Sequence, residues 1–254
     1  MESTFHNSHR GIRSAIRSAL VTGCAFALAA CGGVVPQVSG GNTGGGTGGY
    51  SPSRVATQGS VKAPISAPRP VAVRGGSRTC LAKLGQTGTQ FEPLADQYFG
   101  GGCSNVNTVK LSSIRGDKAV FGLSNVGPLE CDTASTFTAW ARYGVDRAAQ
   151  QILGTRLERI ETMGTYSCRN VAGSAKRSAH ATAQAIDVSA FVFADGRRIS
   201  LAGDWDGGSQ KERQFLRTVF NSACKRFGTV LGPDYNAAHR DHFHLERSGK
   251  GYCR

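Results

Sequence analysis

The chain has 254 residues, 39% of them hydrophobic and 19% charged, with a formal net charge of +13. The Lys and Arg excess favours anionic partners, and for an exported chain these are cell wall and membrane surfaces rather than nucleic acid. Eight Cys without a single C-x-x-C pair exclude a zinc ribbon and a dithiol redox motif.

Arg10, Arg13 and Arg17 precede an apolar run from Ala19 through Val21, Phe26 and Leu28 to Ala30. The run is too short to span a bilayer, so residues 1–30 read as a signal peptide. It ends in Leu28-Ala29-Ala30-Cys31, small residues ahead of a Cys, which resembles a bacterial lipobox. That resemblance implies acylation of Cys31 as the new N-terminus, a stable membrane anchor and a place in the cell envelope facing the periplasm. A plain secretory signal with a chance Cys is the alternative.

Residues 31–78 read as a tether. Gly40 to Gly49 holds only Gly, Asn and Thr, and Ser51 to Pro70 adds Pro and Ser, so this stretch is flexible chain without a core. Residues 79–254 have the length of one domain. Beyond Cys24 and Cys31, six Cys remain: Cys80, Cys103, Cys131, Cys168, Cys224 and Cys253. In an exported domain they read as three disulfides, although six Cys allow about 15 pairings. Cys253, the penultimate residue, is expected to tie down the C-terminus, with Cys224 as its partner.

In chain order, Thr133 to Leu153 is expected to be helical, because Phe137, Trp140, Ala141, Val145, Ala148 and Ile152 recur at helical spacing. Arg156 to Thr162 and Ala185 to Phe193 read as strands. Asp195-Gly196 then turns the chain into a return strand, Arg198 to Leu201. Ser209 with Glu212 forms a capping box that opens a helix from Gln210 to Phe227, with Phe215, Leu216, Val219, Phe220, Ala223 and Phe227 as its buried stripe. Thr229 to Leu231 and His242 to Glu246 form a last strand pair. The class is α+β, with a central antiparallel sheet, flanking helices and disulfide staples.

Two short segments hold every His beyond the signal peptide: the one from Ser178 to Asp187, with His180, and the one from His239 to His244. Imidazole and carboxylate are zinc ligands. Strand alternation puts His242 and His244 on one face. Asp187 lies between apolar Ile186 and Val188, and a buried carboxylate there needs a partner, which a metal supplies. Ser178 reads as a cap or as an orienting group for His180. Trp205 reads as core, with a place in the cleft as the alternative.

Ser178-x-His180-x6-Asp187 followed by His242-x-His244 resembles the zinc-site pattern shared by D-Ala-D-Ala peptidases, penicillin-insensitive murein endopeptidases and the hedgehog signalling domain. The stretch from Cys80 to Arg254 resembles the bacterial extensin-like C-terminal domain family. This resemblance is carried by Thr165-Tyr166-Ser167-Cys168-Arg169, His180 to Asp187, Asp204-Trp205, and Leu231 to Asn236 running into His239 to His244.

The resemblance implies a hedgehog-like or peptidase-like fold, with His180, Asp187 and His244 holding Zn2+. It implies that His242 and His239 activate water or stabilise an oxyanion, and that Arg169 contacts substrate. The implied activity is hydrolysis of peptide bonds in peptidoglycan, in stem or cross-link peptides. Many relatives place a Glu three residues before the last His ligand as general base, and here that position is Asp241. Either His242 and His239 move the proton, or Asp241 does so through altered geometry. The rival expectation is a non-catalytic, zinc-containing module that binds cell wall.

Overall fold

The structure, a computed structural model, describes residues 75–254. The expected signal peptide, the lipidation site Cys31 and most of the tether lie outside the described residues. The last residues of the expected tether do not: α1 spans Gly75–Gln86 and so begins ahead of Thr79. Leu84 anchors this helix in the core, and a disulfide joins its Cys80 to Cys131. Among the described residues no helix is long and apolar enough to cross a membrane.

β1 (Gln90–Pro93) leads into β2 (Gln97–Gly100) and β3 (Cys103–Asn105), a separate two-stranded sheet. β4 (Thr108–Arg115), β5 (Val120–Ser124) and the short β6 (Leu129–Glu130) follow. α2 (Cys131–Trp140) opens with Glu130 as its cap, whose carboxylate accepts from the Thr133 amide at 2.9 Å. The helical path continues to Leu153 as expected, but in wider π turns over Ala141–Asp146 and Ala149–Leu153. Gly154, at φ 70°, ends it in the left-handed conformation that glycine adopts without strain.

β7 (Leu157–Gly164) and β8 (Ala185–Phe193) are long neighbours in the sheet. The Asp195-Gly196 turn folds β8 onto β9 (Arg198–Ser200) as expected. Leu201 then opens a short helix instead of ending the strand. α3 (Leu201–Gly207) is capped by the Ser200 hydroxyl, which accepts from the Gly203 amide. α4 (Gln210–Cys224) begins with the expected capping box of Ser209 and Glu212. β10 (Thr229–Leu231), β11 (Phe243–Glu246) and β12 (Tyr252–Cys253) complete the chain.

The ten-stranded sheet runs β1-β4-β5-β7-β8-β11-β10-β12, with β6 on β4 and β9 on β8. Most pairs are antiparallel, as expected. Two are parallel, β5 with β7 and β10 with β12, which makes the sheet mixed. The first follows from chain geometry: parallel neighbours need a long crossover, and α2 with its π extension supplies it.

The core lies between the sheet and the helical pair α2 and α4. Phe215 of α4 meets Phe191 and Phe193 of β8 edge-on at 5.2 and 5.3 Å. Trp140 is fully buried and donates its indole N–H to the Val219 carbonyl at 2.9 Å. Each such aromatic stabilises the fold by about 1.5–3 kcal/mol through burial. Three disulfides add to this: Cys80–Cys131, Cys103–Cys168 and the expected Cys224–Cys253.

Candidate metal centre

Strand alternation puts Ile186 and Val188 into the core and turns Asp187 to the opposite face. Antiparallel pairing sets His244 of β11 directly beside Asp187 of β8. His180 arrives from a 3-10 turn, Ala179–Thr182, just ahead of β8. The Ser178 hydroxyl caps that turn by accepting from the His180 amide. Ala183 closes it at φ 56°, a left-handed conformation costly for a residue with a Cβ, and this bend delivers the chain into β8.

The three side chains converge. His180 Nε2 lies 3.1 Å from His244 Nδ1 and 3.2 Å from Asp187 Oδ2, and His244 Nδ1 lies 3.0 Å from Asp187 Oδ1. One ligand atom from each falls within 4.8 Å of the others. A tetrahedral zinc with donors at about 2.0–2.2 Å separates them by roughly 3.3–3.6 Å. The present spacing therefore needs only a few tenths of an ångström of opening.

The outer nitrogens explain the orientation of the rings. His180 Nδ1 donates to the Thr165 carbonyl at 2.5 Å, and the Ser167 amide donates to the His180 carbonyl at 3.1 Å. His244 Nε2 donates to Glu246 at 3.4 Å. With the outer proton on each ring committed, the inner nitrogens present lone pairs to one another and to a carboxylate. A shared proton or a metal cation resolves that clash, and outer-ring partners of this kind fix histidine ligands in metal sites. The residues present fit zinc.

The electrostatics agree with this reading. Burial opposes the charge on Asp187, but hydrogen bonds from His180 and His244 outweigh it and hold the carboxyl well below its usual range. Burial likewise disfavours a charged His244, yet Asp187 and Glu246 together push its pKa up to about 9. The domain without metal therefore keeps a proton where the ion would sit.

His242 and His239 lie next to the cluster, and Asp241 is joined to it through His242. His242 is buried just ahead of β11, with Nε2 3.8 Å from Asp187 Oδ1. Asp241 accepts from His242 Nδ1 at 2.8 Å, so this carboxylate faces the imidazole. His239 stacks 5.2 Å from the His242 ring and donates Nδ1–H to the Asn236 side chain at 2.8 Å. Burial, then the charges of His242 and His244, push the His239 pKa down to about 4, and Arg169 adds to the effect. Arg169 thus lies within electrostatic reach of His239, on an exposed loop. Trp205 is core, 3% exposed, with its indole N–H on Asp234.

Sequence reasoning missed two groups. The Thr165 carbonyl is a backbone acceptor and leaves no mark in residue type. Glu246 does leave one: it sits two residues after His244, on the same strand face.

Residues 78–254 match the family described as Extensin-like protein C-terminus. No curated protein and no solved structure matches the chain.

Proposed function

The chain belongs to the extensin-like C-terminal family, and from that premise we propose that it is a zinc-dependent hydrolase of peptide bonds in peptidoglycan. The observation that carries this reading is the convergence of His180, Asp187 and His244, with two further imidazoles at its side. Zinc held by these three ligands would supply a Lewis acid and a water of lowered pKa.

The chain's own residues would handle protons and charge. His242 accepts a proton at Nε2, while Asp241 holds its Nδ1–H and stabilises the cation that forms. This makes Asp241 a positioning residue rather than the general base. His239 stays neutral at neutral pH, with its Nε2 lone pair free for a second proton transfer. Arg169, within electrostatic reach of His239, would offer a cation to negative charge growing on the scissile carbonyl. Anchored at Cys31 to a membrane of the cell envelope and carried on the 31–78 tether, the domain would reach the wall from the periplasm.

The test is zinc content and cleavage together. The wild-type protein should carry about one zinc per chain, and His180→Ala and His244→Ala should each lose it. Wild type should release peptides from purified peptidoglycan. Zinc without any cleavage would favour the wall-binding module, and no zinc in protein purified without chelator would sink the proposal.

A further inference from the structure

The β2–β3 hairpin is held with more care than its size explains. An isolated two-stranded hairpin is marginal in water, and every residue of β2 is exposed. Three separate ties fix it to the loop after β7. The Cys103–Cys168 disulfide joins its second strand to that loop. Arg177 donates to the Gly101 carbonyl at 2.6 Å and to Asn170 at 2.8 Å, clamping the tip. Phe99 stacks on Tyr166 with ring centroids 5.3 Å apart.

These ties keep aromatic surface in solvent instead of burying it. Phe99 is 53% exposed and Tyr98 beside it 67%. Single exposed apolar residues need no explanation, but an exposed ring held in place by a second ring, next to a disulfide and an Arg clamp, is a surface set up for a ligand. Fixing the rings beforehand removes an ordering cost from binding.

The loop that backs Phe99 is the same loop that holds His180. Tyr166 lies between Thr165, whose carbonyl takes His180 Nδ1–H, and Ser167, whose amide binds the His180 carbonyl. Arg169 follows in the same loop.

We propose that Phe99, backed by Tyr166, forms a ledge that seats a sugar ring of the glycan strand while its attached peptide enters the metal centre. This rests on the reading of peptidoglycan as substrate. A pyranose presents a flat C–H face that matches an aromatic face, with hydroxyls round its edge for water and polar neighbours. A stem peptide offers no such plate. The ledge therefore makes the enzyme one that prefers peptides still attached to glycan.

The test uses a peptide-free probe, a chito-oligosaccharide of four N-acetylglucosamine units, titrated calorimetrically into the full-length protein. Wild type should bind it. Phe99→Ala should bind about tenfold more weakly, the order expected for one lost ring face. Phe99→Trp should retain binding, which separates lost stacking from lost folding. On peptidoglycan fragments, Phe99→Ala should raise KM for disaccharide-bearing peptide and leave sugar-free peptide unchanged. No binding by wild type, or equal binding by Phe99→Ala, overturns the ledge, as does an equal KM rise on both substrates. Because sugar binding is read without turnover, absent peptidase activity would sink the proposed function and leave the ledge standing.

Discussion

Glu246 accepts a hydrogen bond from His244 Nε2 at 3.4 Å, and the two residues sit two apart on β11, facing the same way. The bond leaves Nδ1 as the only nitrogen His244 can offer a metal. Glu246→Ala should keep the fold and the site but weaken zinc binding about 10–100-fold, the usual cost of losing such a partner. Competition against a fluorescent zinc chelator reads this directly, and unchanged affinity would mean that the bond does not orient the ligand.

The raised pKa of His244 predicts a pH dependence for chelated protein. Its folded value, about 9, lies above the unfolded value near 6.5. The proton therefore adds stability that is fully present below about pH 6.5 and is lost as pH rises through 9, on the order of 3 kcal/mol in all. Asp187 works from the other side: its depressed pKa contributes stability above about pH 4 that is lost on acidification. In EDTA the melting temperature should fall between pH 6.5 and 9. Saturating zinc should flatten that limb, because the ion takes the proton's place. A flat profile in EDTA would contradict the buried proton.

Asp241→Asn separates positioning from ligation. The variant should bind zinc as wild type does and lose about 10²-fold or more in kcat on peptidoglycan, because the imidazole of His242 loses the partner that fixes its tautomer. His242→Ala should cost a similar factor, and the double variant little more, since the two act as a unit. Additive losses in the cycle would show that the pair does not.

Phe215→Ala tests the core independently of the site. The ring fills the space between α4 and β8, against Phe191 and Phe193. Its removal should destabilise the domain by about 3–5 kcal/mol in denaturant unfolding, with zinc stoichiometry intact below the transition.

The features legible in the sequence were those written in local spacing. The Ser209–Glu212 box, the Asp195-Gly196 turn and the apolar stripe of α4 announce themselves within a few residues. The His and Asp residues of the candidate centre stood out because no other His lies between residues 31 and 254 and because Asp187 interrupts an apolar strand. The region from α1 to β6 was not legible: β2 is wholly exposed and β3 only three residues long, so neither carries an alternating pattern to read. The pairings Cys80–Cys131 and Cys103–Cys168 depend on which elements meet in space, and no spacing rule encodes that. The β5–β7 parallel pair was hidden for the same reason, since it is joined only through the long helical crossover.

The residues of the candidate metal centre are also far apart in the chain. His180 and His244 are 64 residues apart, and Asp187 and His244 are 57. Two of the disulfides close separations of 51 and 65 residues. An ion gripping β8 and β11 together would close a loop of the same size, and loop-closure entropy grows only slowly with length. Such an ion would be a fourth cross-link in a domain already stapled three times, and unlike the others it would be removed by a chelator and restored by mass action. Metal supply would then set how long the folded domain survives, as well as what it does.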